Sequence, residues 1–142
     1  MNIKAFSFAR KNSQRCNNKM LRKFNNTTLV DIVLNKLNKI NCDTFFAGYE
    51  KEFEKKCIKH NVNFVQRDKK SANVDEPIIE ILSFLKKIDC EYFIIINGCL
   101  PFLKISTINK FINSCIENNY KSTFTITKIS NFFLNKYKNP LN

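Results

Sequence analysis

Short apolar runs with the residue types of β-strands alternate in this chain with longer segments whose apolar residues recur at helical spacing. This alternation is typical of a largely parallel sheet covered by helices on both faces, and it predicts an α/β fold. The predicted strands lie at residues 3–9, 44–47, 62–65, 91–96 and 121–129, and the predicted helices begin near residues 27–28, 49, 75–77 and 106. Thr27 or Thr28 can cap the first of these helices, and Phe53 and Cys57 are predicted to face inward from the second.

Two of these elements carry the clearest local patterns. The strand at residues 91–96 contains FIII, which suits burial on both faces and predicts a central place in the sheet. Asp75 and Glu76, followed by Pro77, mark the start of the third helix, with acid near the helix dipole and Pro in the first turn. Asp75 is therefore predicted to cap this helix. The apolar positions that follow at helical spacing are Ile78, Ile81, Leu82, Leu85 and Ile88.

The length and composition favour one domain over residues 1–142. A chain of 142 residues can bury roughly two-thirds of its unfolded surface around a single core. Hydrophobic residues make up 44% of the chain and 14 residues are Phe, whereas disordered chains are poor in aromatic residues. The sequence therefore predicts an ordered unit without an internal repeat or a long linker.

The formal net charge of +12 raises the possibility of nucleic-acid binding, because clustered cations release counterions when they neutralise phosphates. Most of the Lys residues, however, lie on the polar sides of predicted helices, as do Lys51, Lys55 and Lys59. Such positions are typical of a solvated helix face. We therefore expect no nucleic-acid partner, and a basic nucleic-acid-binding protein is kept as a third hypothesis behind the two given below.

The six cysteines are widely spaced and form no C-x-x-C pair, so the sequence predicts neither a zinc knuckle nor a thioredoxin-type motif, and the thiols are expected to be reduced. No apolar run approaches the ~20 residues that span a bilayer. We expect a cytoplasmic protein without membrane insertion. The lone His60 lies at the end of a Lys-rich helical segment and is predicted to be a surface residue rather than a catalytic base.

Ligands of open α/β sheets bind at the carboxyl ends of the strands, where three loops of this chain qualify. In the first loop, ARKNSQRCNNK, the side chains of Arg10, Arg15 and Lys19 could surround a polyphosphate, and Ser13 could add a hydroxyl donor. Asn12 could supply the left-handed backbone that phosphate loops usually obtain from Gly. The alternative is a basic loop that binds no ligand. The other two loops are QRDKKSANVDE and NGCLP.

The segment ARKNSQRCNNKML combines A-R-x-x-S with a second Arg and with a Lys four residues beyond that Arg. It resembles the N-terminal motif of the acylneuraminate cytidylyltransferase family, which is close to A-R-x-G-S-K-R-x-x-x-K-N. The family includes CMP-sialic acid and CMP-KDO synthetases. The resemblance covers essentially all of the chain in order, and continues in LRKFNNTTLVDIVLNKL, in Arg67 followed by SANVDE, and in INGCLPFLKISTI.

This resemblance implies a Rossmann-like three-layer α/β/α nucleotidyltransferase fold with a mainly parallel sheet. It implies transfer of CMP from CTP to a sialic-acid-like or KDO-like sugar acid, with release of pyrophosphate, for the synthesis of a surface glycan. Arg10 and Lys19 would be catalytic, since they would stabilise the triphosphate and the leaving pyrophosphate. The implied nucleotide-binding residues are Arg10, Ser13, Arg15, Lys19 and Arg67, and the implied substrate-pocket residues are Asn97 and Asp75.

The chain departs from the family pattern at several positions of these loops. Asn12 stands where the family has Gly, and Met20 stands where the family usually has Asn. The polar run before the loop Pro is replaced here by Gly98, Cys99 and Leu100. The cation that commonly follows this Pro by two residues is also missing, and Lys104 lies one place later.

The resemblance also implies Mg²⁺ as a cofactor and a homodimer as the assembled form. Family members continue beyond this point with metal-binding aspartates and a dimerisation segment, so we expect a C-terminally incomplete fold whose metal ligands are unknown. Asp68, Asp75, Asp89 and Glu91 form no acidic pair obviously placed for Mg²⁺. A shortened, non-catalytic domain that binds a nucleotide or a sugar phosphate is therefore the alternative to the enzyme.

Overall fold

The computed structural model describes residues 2–13, 16–73 and 76–126. Its strands are β1 (Ile3–Phe8), β2 (Lys23–Phe24), β3 (Thr27–Thr28), β4 (Asp43–Gly48), β5 (Asn63–Gln66) and β6 (Tyr92–Ile95). Its helices are α1 (Leu29–Leu37), α2 (Lys51–Lys59), α3 (Ile78–Ile81) and α4 (Ile105–Glu117), with a 3₁₀ helix at Ser83–Lys87.

Four strands form a parallel sheet in the order β5-β4-β1-β6. The register pairs Phe6 of β1 with Phe45 of β4 on one side and with Ile95 of β6 on the other. The predicted parallel α/β sheet is therefore confirmed. The predicted central place of the FIII strand is wrong for the described part of the chain, since β6 lies at the edge, where Phe93 and Ile95 are 50% and 42% exposed.

Helices cover both faces of the sheet, as the alternation of elements predicted. On one face, the ring of Phe46 in β4 packs against Phe53 of α2, with centroids 5.6 Å apart. On the other face, the rings of Phe6 and Phe8 lie 6.0 and 5.8 Å from Phe84 in the 3₁₀ helix. Because successive residues of a strand point to opposite faces, the apolar strands supply both layers of the core.

Side chains with regular spacing anchor α1 and α2 on the sheet. Val30, Val33, Leu34 and Leu37 of α1 are buried, and Thr28 caps the helix by accepting a hydrogen bond from the Asp31 N–H at 3.2 Å. The predicted helix with a Thr cap is thus confirmed. In α2 the buried residues are Phe53 and Cys57, the two that the sequence placed inward.

The third predicted helix forms only in part. A single turn, α3, ends at Ile81, and the chain continues as the 3₁₀ helix. Ile78 and Ile79 are 66% and 65% exposed, whereas Phe84, which the helical pattern had not placed in the core, is 1% exposed. Packing of Phe84 on the β1 aromatics therefore overrides the local helical pattern, and the tighter 3₁₀ turn accommodates it.

By its internal contacts the chain divides into two compact units, Met1–Phe111 and Ile112–Asn142. Residues 121–126 do not form a strand, and the remainder of the strand predicted at residues 121–129 lies outside the described residues. The prediction of a single domain stays a prediction. No helix in the described part of the chain has the length and apolar content needed to cross a bilayer.

Asp31 links the two helices on the α1–α2 face. Its carboxylate accepts hydrogen bonds from Lys56 at 2.7 and 2.8 Å, from Thr28 Oγ1 at 2.5 Å, and contacts His60 Nε2 at 3.0 Å. Burial alone would raise the pKa of Asp31, but the hydrogen bonds from Lys56, Thr28 and His60 outweigh it and lower the pKa to about 2.

We expect Asp31→Asn to remove about 2 kcal/mol of unfolding free energy at neutral pH, because the folded state lowers the pKa of this carboxyl. The contribution is present above the unfolded pKa near 4 and is lost as the pH falls through about 2. Urea unfolding between pH 7 and pH 2 measures it. The control is Asp43→Asn, whose carboxylate is 71% exposed and 3.9 Å from Lys4. A constant difference between Asp31→Asn and wild type across this range would contradict the assignment.

Candidate active site

A cavity of about 440 Å³ opens at the carboxyl edge of the sheet, where β1, β5 and β6 end. This is the edge at which open α/β sheets bind their ligands, and the volume lies in the range of small-molecule sites. The residues that line the cavity are Phe8, Ala9, Arg10, Ser13, Lys19, Met20, Arg67, Asn73, Ile81, Ile95, Asn97, Gly98 and Cys99.

The cavity brings together most of the residues that the sequence singled out. Arg10, Ser13 and Lys19 come from the first loop, Arg67 follows β5, and Asn97 follows β6. Two further predicted site residues, Arg15 and Asp75, lie outside the described residues. No carboxylate is among the described residues that line the cavity, so the three cations give it a positive potential that suits an anionic ligand.

The first loop is attached to the sheet by its backbone. The Ala9 N–H extends the β1–β4 ladder by donating to the Ala47 carbonyl at 3.1 Å. Two residues later, the Lys11 N–H donates to Glu50 Oε1 at 2.9 Å. The side chain of Lys11 pairs with Glu52 at 2.6 Å, and this bond and charge raise the pKa of Lys11. One of the four cations of the loop is therefore held by α2 and does not line the cavity.

The loop turns at Asn18 rather than at Asn12. Asn18 has a φ of 55°, in the left-handed region, and its carbonyl accepts the N–H groups of Leu21 and Arg22, both at 2.9 Å. Asn12 is not among the described residues with positive φ, so the position expected for the left-handed residue was wrong. An Asn does supply left-handed backbone in this loop, but it is Asn18, which lies directly before Lys19.

Arg67 is 3% exposed and its guanidinium is held by protein groups. Nε donates to Ser71 Oγ at 3.0 Å and Nη1 donates to the Ala9 carbonyl at 3.3 Å. Nη2 donates to the carbonyl of Ser71 and, at 3.3 Å, to that of Ile81. Four hydrogen bonds therefore join the end of β1, the loop after β5 and α3.

The surroundings of Arg67 define how it acts on the cavity. Its guanidinium lies over the rings of Phe8 and Phe84, at 5.3 and 5.9 Å from their centroids. Burial and then the nearby positive charge of Arg10 lower its pKa to about 10, so it stays charged at neutral pH. Arg67 thus lines the cavity while most of its donors are used to hold the cavity walls.

The loop after β6 contains features that the sequence did not mark. A Cβ at Gly98 would lie 3.0 Å from Met20 Cε and 3.2 Å from Ser7 Oγ, so only Gly fits without a shift of these neighbours. Lys36 of α1 donates to the carbonyls of Leu100 and Pro101 at 2.9 and 2.6 Å. Burial lowers the pKa of Lys36. The hydrogen bonds from Lys36 therefore hold this loop against α1.

Residue types of the described chain do not fit a protein-held Mg²⁺ in this cavity. Mg²⁺ is usually bound through one or two carboxylates, and the described lining offers none. Across residues 2–13, 16–73 and 76–126 there is also no group of three His, Cys, Asp or Glu side chains placed to hold a metal ion. The expectation of Mg²⁺ stays untested.

A second cavity, of about 330 Å³, lies against the β2–β3 hairpin. Its charged groups include Asp31 and Lys56, which already pair with each other at 2.7 Å. Of the three charged side chains in the lining, only Lys23 is not part of this pair, so the cavity offers a ligand less charge than the first one does.

Comparison with known protein families identifies the family of this chain. A family model described as Cytidylyltransferase matches residues 8–141, which include both the first loop and the loop after β6. The chain belongs to the cytidylyltransferase family. The resemblance found in the sequence is therefore confirmed. No curated protein sequence matches the chain.

Solved structures share the fold of this cytidylyltransferase chain at low sequence identity. CMP:2-keto-3-deoxy-manno-octonic acid synthetase complexed with CTP is 11% identical, with a TM-score of 0.71, and a cytidylyltransferase from Leptospira borgpetersenii is 17% identical, with a TM-score of 0.69. The matches cover 84% and 83% of this chain, but only 49% and 50% of those two. The chain thus spans about half their length. These likenesses confirm the Rossmann-like nucleotidyltransferase fold.

A third solved structure also shares the fold. 4-Diphosphocytidyl-2C-methyl-D-erythritol synthase from Anaerococcus prevotii is 15% identical, with a TM-score of 0.66, over 99% of this chain and 62% of that one. At this identity the likeness shows the fold alone.

We expect Arg67→Ala to lower the unfolding free energy by about 3 kcal/mol, because it leaves buried carbonyls without donors. Arg67→Lys should lose most of this stability as well, since a single ammonium cannot reach three segments with the same geometry. Urea denaturation measures both. The control is Arg22→Ala, an exposed Arg of the same loop region, which should change stability by less than about 0.5 kcal/mol. Similar losses in all three variants would contradict the structural role of Arg67.

Proposed function

We propose that this chain binds CTP in the cavity at the carboxyl edge of the sheet and transfers CMP to an acceptor hydroxyl, with release of pyrophosphate. The observation that carries the proposal is that Arg10, Ser13 and Lys19 line one cavity with Asn97, with no carboxylate among its described lining residues. A cationic cavity of this kind is suited to a polyphosphate. Membership of the cytidylyltransferase family supports cytidine as the nucleoside.

The residues of the chain would act by placement and charge. In nucleotidyl transfer the acceptor oxygen attacks the α-phosphorus in line with the leaving pyrophosphate, and charge builds up on the phosphate oxygens. Arg10 and Lys19 would bind these oxygens and neutralise the leaving group, while Ser13 would donate its hydroxyl to another phosphate oxygen. Arg15 and Asp75 keep the nucleotide and pocket roles implied by the resemblance.

The acceptor in this proposal is a sugar acid of the sialic-acid or KDO type, with Asn97 at the point where sugar and nucleotide meet. The support is the resemblance of the first loop to the acylneuraminate family, together with the fold likeness to a synthetase of the CMP ester of 2-keto-3-deoxy-manno-octonic acid. A role in surface glycan synthesis, a cytoplasmic location and a homodimer belong to the same proposal. So does Mg²⁺, as an ion whose protein ligands are not among the described residues that line the cavity.

A second candidate function is a binding domain that holds CTP or a sugar phosphate without catalysis. The observation that favours it is the lack of a carboxylate for Mg²⁺ among the described lining residues. Calorimetric titration with CTP, run beside a pyrophosphate-release assay with Mg²⁺ and candidate sugar acids, separates the two. Binding with release supports the enzyme, and binding without release supports the second candidate.

We expect Arg10→Ala and Lys19→Ala each to weaken CTP binding by at least about tenfold, because each removes a charge-assisted contact to phosphate. Isothermal titration calorimetry at fixed ionic strength measures the Kd. The matched control is Lys55→Ala, which removes the same charge from the exposed face of α2 and should change the Kd by less than about twofold. Equal losses from all three substitutions would point to a general effect of net charge and against this cavity.

A further inference from the structure

Arg10 lies between two residues whose backbones are fixed by separate parts of the fold. On its N-terminal side, the Ala9 N–H donates to Ala47 and the Ala9 carbonyl accepts from Arg67. On its C-terminal side, the Lys11 N–H donates to the carboxylate of Glu50. The direction in which the Arg10 side chain leaves the backbone is therefore set by contacts on both sides.

Glu50 makes the contact on the C-terminal side of Arg10, and its side chain is otherwise poorly hydrogen-bonded. It is the residue that precedes α2, yet its side chain makes no capping hydrogen bond to its own helix. Oε1 accepts from Lys11, while Oε2 is buried and has no partner among the described residues. Buried carboxylate oxygens are nearly always paired, because an unpaired one loses its hydration without compensation. Stability alone therefore does not explain a carboxylate here.

The neighbouring side chains of Arg10 and Lys11 lie in different places. Lys11 points to Glu52 on α2, at 2.6 Å, while Arg10 lines the cavity. Glu52 contacts the Lys11 side chain, whereas Glu50 contacts the Lys11 backbone. Of the two acids, only Glu50 is placed to control where the chain turns after Arg10.

We propose that Glu50 is a positioning residue of the nucleotide site, which fixes the backbone at Lys11 and so holds Arg10 toward the cavity. This inference rests on the proposed function, because it assigns Arg10 to a phosphate ligand. Glu50 does not line the cavity. It acts through Arg10, opposite the contact that Arg67 makes at Ala9.

Electrostatics alone and positioning predict opposite effects of removing Glu50 on anion binding. A carboxylate close to a cationic cavity reduces its positive potential, so removal of Glu50 should strengthen the binding of an anion. Positioning predicts that removal weakens binding, because Arg10 is no longer held in a binding geometry before the ligand arrives. If Glu50 served stability alone, its removal would leave the Kd of the folded variant unchanged.

The test compares Glu50→Ala, Glu50→Gln and, as the matched control on the same helix, Glu52→Ala. Calorimetry measures the Kd of inorganic tripolyphosphate and of CTP, and hydrogen exchange measures the protection of the Lys11 amide. Glu50→Ala should weaken tripolyphosphate binding about tenfold and remove the protection. Glu50→Gln keeps an acceptor oxygen and should stay within about threefold of wild type with the amide protected, and Glu52→Ala should stay within about twofold.

Several outcomes would overturn the inference. Binding by folded Glu50→Ala that equals or exceeds that of wild type would do so. If Glu50→Ala does not fold, the decision falls to Glu50→Gln, in which tripolyphosphate binding and protection of the Lys11 amide should change together. Weak binding with a protected amide, or wild-type binding with an unprotected amide, would overturn positioning through the Lys11 contact. If wild type binds neither CTP nor tripolyphosphate, the proposed function fails. The Lys11 amide then still decides whether Glu50 holds the loop, since equal protection in the Ala and Gln variants would overturn that too.

Discussion

The buried guanidinium of Arg67 is the contact on which the shape of the cavity depends. It joins the end of β1, the loop after β5 and α3 by hydrogen bonds, and two aromatic rings cover it. A charge that is 3% exposed must be satisfied by its surroundings, so these segments cannot separate without leaving it unpaired. The cationic cavity is thus built around a cation whose own hydrogen bonds go mostly to the protein.

Much of the architecture followed from local pattern. The alternation of strand and helix types predicted a parallel sheet with two covered faces, and Thr28, Phe53 and Cys57 take the places that their spacing indicated. The cavity also brings together Arg10, Ser13 and Lys19, which are close in sequence and follow a strand. Local order and the rule that ligands bind at the carboxyl edge were sufficient for these features.

The features that the sequence did not reveal depend on contacts between distant residues. Arg67 and Ala9 are 58 positions apart, and Lys36 reaches the carbonyl of Leu100 across 64 positions. Phe84 broke the predicted third helix because its partners, Phe6 and Phe8, lie in the first strand. The edge position of β6 likewise depends on which strands pair, and a composition such as FIII reports burial preference without reporting neighbours.

The use of Asn where other chains use Gly has a consequence for the denatured ensemble. With only 2 glycines, the chain forms left-handed backbone at Asn18, Asn25, Asn61 and Asn119. An Asn in this conformation carries strain of about 1 kcal/mol that Gly would not. In return, a Cβ restricts the disordered chain more than Gly does, so fewer conformations are lost when each bend becomes ordered. At these bends, Asn therefore adds strain to the folded state and lowers the conformational entropy of the unfolded chain.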